Sequence, residues 1–376
     1  MANYATMCPG TYHVGYVFDE PPIEDSYLEN RVPVGEVKFK TAVVLNRQVY
    51  VGNVQVTTKS NRTRTYGDRI MKSTVSEFDT FPVFRTVDVA IGDGETIVKL
   101  EEYAERLLVF KEKTLYIINA SSDAEFLEDT QAFRGISHSA ASCKTDYGVA
   151  WANQYGVYLY TGNRVENLFE KNGIRVISPS SWASFYNSDS MIGYAPKFKQ
   201  LIVFDSATAA SSSGNVYIYD MVTQSWVQGT GIVSGDAKTN TVVDWNGDLV
   251  FAHTSGTVVK WTDTPVGAIS NFELITKEED FGTPSLRKKI YKVVVTYQGG
   301  SSQSVDVTYG VDGASPASQF DSNISNTSGS IVIAELTPSS AISNAKSIQL
   351  KFAGTVAVGF KLHDISFVYR TKKATS

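Results

Sequence analysis

The stretch DYGVAWANQYGVYLYTG, residues 146–162, reads as an apolar strand, a short polar turn and a second apolar strand rich in aromatic side chains. The same hairpin returns along the chain. It recurs as TAVVLNRQVYVGNV at 41–54, RLLVFKEKTLYII at 106–118, KQLIVFDSATAASSSGNVYIYD at 199–220 and GDLVFAHTSGTVVKW at 247–261. Repetition at this scale marks architectures built by stacking one supersecondary unit. With Tyr50, Tyr116, Tyr158, Tyr217 and Val259 as equivalent positions, the intervals are 66, 42, 59 and 42 residues. A four-stranded propeller blade takes roughly 40–50 residues. The longer intervals then hold inserted loops, with SATAASSSG at 206–214 as one. Outer-strand candidates follow two of the hairpins: RVENLF after VYLYTG, and QSWVQG after VYIYD. The reading is an all-β chain with a β-propeller of about five or six blades. The plainer alternative is an irregular all-β domain with ordinary hairpins.

Composition agrees with a β-rich protein. Of 376 residues 20 are Tyr and 19 are Phe, and Val recurs in every apolar run. Such residues suit pleated, half-buried strands. EEYAERLLVFKEK at 101–113 is the nearest approach to a helical pattern, but its LLVF core matches the hairpins.

The organisation has four parts. Residues 1–40 read as an extended N-terminal arm with PP at 21–22 and an acidic stretch of Asp19, Glu20, Glu24, Asp25 and Glu29. Residues 41–275 hold the repeated hairpins. Residues 276–289 include KEEDFGTPSLRKK, charged and interrupted by Gly and Pro, and read as a linker. Residues 290–372 contain short strand candidates separated by turn-rich segments, the pattern of a β-sandwich.

Charge and chemistry exclude several classes. The net charge is −5, without the basic excess that supplies most non-specific affinity for nucleic acid. The two cysteines, Cys8 and Cys143, are too few and too far apart for a disulfide framework or a metal cluster. The start MANYATMCPG is not patterned as a signal peptide, and no apolar run approaches the ~18 residues of a membrane helix. None of His13, His138, His253 and His363 has a partner at metal-ligand spacing. His138 near Cys143 is a weak candidate for a nucleophilic pair. Asp205, Asp220, Asp244 and Asp248 could converge as the paired carboxylates of a glycan-hydrolysing propeller. Turn formation is the competing account, and Asp244 in DWNGD fits it. GDG at 92–94 lacks the Gly-Lys-Ser/Thr of a phosphate loop and reads as a turn. No cofactor, no metal and no enzymatic activity are expected.

Three stretches, in this order, resemble tail nozzle or tail hub proteins of short-tailed bacteriophages, sometimes called tail tubular protein B. They are FKTAVVLNRQVYVGNV with DRIMKSTVSEFDTFP, then GDGETIVKLEEYAERLLVFKEKTLYII, then AFRGISHSAASCKTDYGVAWANQYGVYLYTGNRVENLF. DFGTPSLRKKIYKVVVTY and the terminal DISFVYR also resemble that family's sandwich domain. The resemblance implies a structural subunit of the virion tail, assembled in the host cytoplasm. Its copies would form a ring, of about six by the symmetry usual for such parts, through which genome DNA passes without specific binding. Implied neighbours are tail adaptor or portal-proximal proteins and tail fibres, with no membrane insertion. Candidate subunit contacts are the acidic arm residues Asp19, Glu20, Glu24, Asp25 and Glu29, and two basic groups. The first group centres on Arg62 and Arg64, beside Lys59, Arg69 and Lys72; the second is Arg287, Lys288 and Lys289, with Lys292. The competing account of both basic groups is a solvated face. Alternative functions are a receptor-binding or glycan-acting propeller of the virion, or a kelch-like protein-interaction propeller.

Overall fold

The computed structural model describes residues 13–18, 33–58, 60–122, 124–205, 214–233, 240–252, 257–262, 268–300, 303–325 and 329–372. These residues form sheets of antiparallel strands, apart from one parallel pairing of Tyr16–Phe18 with Thr80–Pro82, and include one α-helix, Pro179–Phe185. The chain divides into two compact units, Met1–Trp261 and Thr262–Ser376.

The first unit is a succession of meanders. Its first sheet takes the strands His13–Phe18, Pro33–Leu45, Gln48–Thr58 and Thr63–Lys72 in order, with Thr80–Pro82 and Thr86–Asp88 added at the two edges. Residues 33–40, expected as part of an arm, are therefore strand. Val37 pairs with Val56 and is fully buried, because the alternation in EVKFK gives that strand one apolar face. The rest of the proposed arm, apart from 13–18, lies outside the described residues.

The second sheet runs Ile97–Tyr103, Arg106–Lys111, Thr114–Asn119 and Phe126–Ala132. The third runs Ser142–Thr145, Gly148–Asn153, Gly156–Tyr160 and Val165–Asn167. The fourth runs Met191–Ala195, Gln200–Phe204, Val216–Asp220 and Ser225–Gly229, and the fifth Thr241–Val243, Leu249–Ala252 and Val258–Lys260. Tyr50, Tyr116, Tyr158, Tyr217 and Val259 each lie on the third strand of their sheet.

The middle strands of the second, third and fourth sheets are buried on both faces, which is why they read as solid apolar runs and not as an alternation. Side chains of period two divide between the neighbours. Leu107 and Val109 share a core with Tyr50 and Ile70 of the first sheet. Leu108 and Phe110 share another with Val149 and Trp151 of the third. Ala150 and Leu159 face Leu201 and Tyr217 of the fourth sheet, and Ile202 and Phe204 face Leu249 and Phe251 of the fifth. Successive sheets thus stack face to face, an arrangement compatible with a β-propeller-like fold. The helix begins where Ser178 accepts a hydrogen bond from Ser181 N and Pro179 opens the first turn. It places Trp182 and Phe185 in the core between the third and fourth sheets.

The second unit has two antiparallel sheets around one core. One has the order Ile269–Ile275, Ile348–Val356, Ser304–Val311, Ser318–Gln319. The other centres on Lys288–Gln298, with Lys361–Thr371 along one side and Ile331–Leu336 and Ile342–Ala345 along the other. Val293 and Val295 from the latter meet Val307, Leu350 and Phe352 from the former. Two boundaries differ from those expected. Residues 269–275 pair with Ile348–Val356, Leu274 opposite Phe352, so they belong to the second unit and not with the hairpins of 41–275. Residues 276–289 are no free linker: Thr276 N bonds Leu350 O, Glu279 bridges Ile348, and Lys288 is already strand.

Candidate functional site

The residues singled out by charge fall into different environments. Asp19, Glu20, Glu24, Asp25 and Glu29 lie outside the described residues, as does Lys59. Arg62 and Arg64 stand exposed at the tip of the hairpin joining Gln48–Thr58 to Thr63–Lys72, with no ion pair among the described residues. Their neighbours are tied down. Arg69 grips Asp88 with two bonds of 2.7 Å and lies 4.0 Å over the Tyr66 ring. The guanidinium holds the Asp88 carboxyl below the usual carboxylate range. Lys72 donates to Glu125 Oε1 at 2.5 Å, and the Tyr50 hydroxyl donates to the same oxygen at 2.9 Å.

The second basic group also divides. Arg287 is exposed and donates to Asn344 O; Lys289 lies 5.0 Å from the Tyr291 ring centre. Lys292 pairs with Glu335. Lys288 cannot serve as a subunit contact, because its side chain is fully buried. Its ammonium donates to the carbonyls of Asp280 at 2.7 Å, Thr283 at 2.6 Å and Lys346 at 2.7 Å. The segment 280–283 folds back over the strand and supplies two of those acceptors, and Lys346 supplies the third.

Within the first unit a cleft of about 580 Å³ opens beside the strands that join one sheet to the next. Thr41 Oγ1 accepts from Leu100 N at 2.9 Å, linking first sheet to second. Lys99 donates to Ser142 O at 2.9 Å, linking second to third, and pairs with Glu101 at 2.7 Å. Lys40, Glu112 and His138 complete the titratable lining. Two lysines face two carboxylates, and burial lowers the His138 pKa, so the cleft is polar and close to neutral. His138 Nδ1 accepts from Ala140 N and caps the short turn Ser139–Ala141, which fixes the ring in a structural role. Burial pushes the Cys143 thiol up to about 12. A protonated thiol and a capping imidazole do not make an activated nucleophile.

The four aspartates do not form one site. Asp205 and Asp220 lie at opposite ends of the fourth sheet, since Gln200 pairs with Asp220 and Asp205 follows Phe204. Asp220 Oδ1 accepts from Val222 N and Thr223 N, and Asp244 Oδ1 from Asn246 N and Asp248 N; both are turn-formers. Asp248 sits between Lys197 and Lys260, each at 2.6 Å, and Lys197 foremost holds its carboxyl down. Among the described residues no group of three or more His, Cys, Asp or Glu side chains could hold a metal ion.

Sequence reading missed the Lys111 cluster. The Lys111 side chain is fully buried, and its ammonium lies 2.8 Å from both Asp68 and Asp93. Asp93 is the aspartate of the GDG turn, where Gly92 and Gly94 both take φ +80°. It also accepts from the Tyr116 hydroxyl at 3.2 Å. A lysine closing the apolar run RLLVFK was the available signal.

Compared with models of known protein families the chain matches none, and no curated protein matches it. Solved structures do. A chain of a mitotic checkpoint complex is 13% identical over 70% of this chain and 83% of its own, with a TM-score of 0.37. The extracellular domain of a one-component system from B. thetaiotaomicron is 12% identical over 68% of this chain, with a TM-score of 0.36. That of a hybrid two-component system from the same organism is 13% identical over 60%, with a TM-score of 0.35. This chain spans 34% and 32% of the length of those two bacterial chains.

Proposed function

We propose that this protein is a structural subunit of the tail of a short-tailed bacteriophage, a nozzle or hub component that forms a ring around the DNA exit channel. In this reading the five stacked sheets of the first unit are five propeller blades, and the second unit is a two-layer β-sandwich. One observation carries it. Each stretch that resembles nozzle proteins coincides with consecutive paired strands: 39–54 and 68–82 in the first sheet, 92–118 in the second, 132–169 in the third. DFGTPSLRKKIYKVVVTY and DISFVYR, far apart in sequence, lie side by side, with Val293 opposite Phe367 and Val295 opposite Ile365. The near-neutral cleft and the net charge of −5 suit a part past which DNA slides without being held.

The test is the number of copies per purified particle, by quantitative peptide mass spectrometry against the major capsid protein. About six copies, or a small multiple, supports a ring. Absence from particles overturns the reading. Arg62→Glu combined with Arg64→Glu tests the exposed hairpin tip as a subunit contact; ring assembly unchanged by native mass spectrometry removes that tip from the interface.

A further inference from the structure

A pocket of about 570 Å³ lies at the turn end of the third sheet. Its rim carries two aromatic rings that the fold leaves in water. Phe133 is 58% exposed and Tyr155 42%, and they meet edge to face with centroids 5.5 Å apart. Phe133 takes φ +62°, a left-handed conformation that is costly for a bulky side chain. Buried Asn153 holds it there, donating through Nδ2 to the carbonyls of Phe133 and Gly135, both at 3.0 Å. The backbone is thus fixed in an unfavourable geometry that leaves a phenyl ring at the pocket mouth.

Two guanidiniums line the same pocket. Arg134 lies 4.2 Å over the Tyr158 ring. Arg175 donates through Nε to Ile177 O at 2.7 Å and through Nη2 to Tyr155 O at 3.3 Å, which orients its fork. Neither has a carboxylate partner among the described residues. The one acid in the lining, Glu170, accepts from Asn167 Nδ2 at 2.8 Å. The pocket therefore carries an excess of positive charge. Tyr158 is 2% exposed, lines the pocket, and its hydroxyl makes no hydrogen bond among the described residues. That hydroxyl reaches solvent, so it is free to bond a group that enters the pocket.

These groups specify a ligand chemistry. The fork of a guanidinium matches the planar geometry of a carboxylate. A bare anion would leave the exposed rings unused, and an apolar ligand would leave the guanidiniums unused. A pyranose offers a C–H face to an aromatic ring and hydroxyls to amide and carboxylate groups. We infer that the pocket lined by Arg134, Arg175 and Tyr158, with Phe133 and Tyr155 at its rim, binds an acidic sugar residue, a pyranose bearing a carboxylate. The carboxylate sits on the guanidiniums, the ring stacks at the rim, and Asn167 and Glu170 take its hydroxyls. The inference does not rest on ring assembly, so neither result below alters the copy number expected per particle.

The experiment is calorimetric or ligand-observed NMR titration of the full-length protein with methyl glucuronide, and with methyl glucoside, acetate and inorganic phosphate as comparisons. Saturable binding of the glucuronide is expected at about 1–10 mM, the range of a single small ligand with few contacts. The neutral glucoside, which lacks the charge, is expected to bind about tenfold more weakly or less. Arg175→Gln should weaken glucuronide about tenfold in titrations run well below its melting temperature, which the loss of the bonds to Ile177 O and Tyr155 O lowers slightly. Tyr158→Phe keeps the ring and removes only the hydroxyl, and should also weaken it. No saturation with the glucuronide overturns the inference. So does equal affinity for glucoside, acetate or phosphate, or equal glucuronide binding by Arg175→Gln.

Discussion

At the scale of single residues, two buried lysines carry opposite kinds of compensation. Lys111 meets two carboxylates, Lys288 three carbonyl oxygens. Removing the charge strands the partners in either case, and the cost lies in what is left unpaired. Lys111→Met is expected to destabilise the first unit by about 2–4 kcal/mol, at the low end for a buried pair because water reaches both aspartates. Burial opposes ionisation of Asp93, but Lys111 outweighs it and the carboxyl is held below its ordinary value. A depressed carboxylate contributes stability above its unfolded pKa of about 3.9 and loses it as pH falls through the lower folded value. Burial likewise opposes the Lys111 ammonium, but Asp68 and Asp93 hold its pKa raised, so that contribution is complete below its unfolded pKa of about 10.4. The stability gap between wild type and Lys111→Met should therefore be level from about pH 5 to 9 and shrink below about pH 4. Thermal melts across that range check it; a gap undiminished at the acid end would show that Asp93 is not the partner that matters. Lys288→Met should cost about 2–4 kcal/mol through three orphaned carbonyls, read by the urea midpoint.

At the scale of elements, the hairpins were legible because each middle strand is apolar on both faces and each turn is polar. The outer strands Val165–Asn167 and Ser225–Gly229 fall where RVENLF and QSWVQG pointed. Residues 33–40 were misread because the acidic, proline-bearing sequence before them sets the impression of an arm, while their own alternation is only one face wide. Residues 269–275 were misread because NFELIT continues the hairpin texture, and its partner Ile348–Val356 lies far down the chain. Lys288 was hidden inside the charge run RKK, since nothing local says that 280–283 will fold over it. The Arg134–Arg175 pocket was likewise invisible, its parts coming from separate strands and turns spread over residues 133–179. The helix Pro179–Phe185 is the least expected element. Trp182 is fully buried, meets Phe169 edge to face with centroids 4.7 Å apart, and donates from Nε1 to Asn153 O at 2.9 Å. Trp182→Ala should cost about 3–5 kcal/mol by opening a cavity between the third and fourth sheets. Trp182→Phe, which keeps most of the ring but orphans that carbonyl, should cost about 1–3 kcal/mol. Chemical denaturation separates the two; equal losses would mean that the indole N–H, and not its volume, is what the site needs.

At the scale of the whole molecule, the two units have separate cores. Among the described residues, none in the core around Val293 and Phe352 belongs to the first unit, and none in the cores joining the stacked sheets belongs to the second. Cooperativity follows shared burial, since a residue unfolds with the groups whose surface it keeps from water. Each unit should therefore melt as its own transition in calorimetry. The variants assign them. Lys111→Met and Trp182→Ala should lower only the transition of the stacked sheets, and Lys288→Met only that of the second unit. Ring formation would make one transition rise with protein concentration, because association stabilises whichever unit supplies the contacts. If that is the unit bearing Arg62 and Arg64, the double charge reversal should abolish the concentration dependence and leave the other transition unmoved. A single transition, shifted alike by all three core variants, would mean that the two cores unfold as one. The assembly contacts would then have to be sought without the help of separate melts.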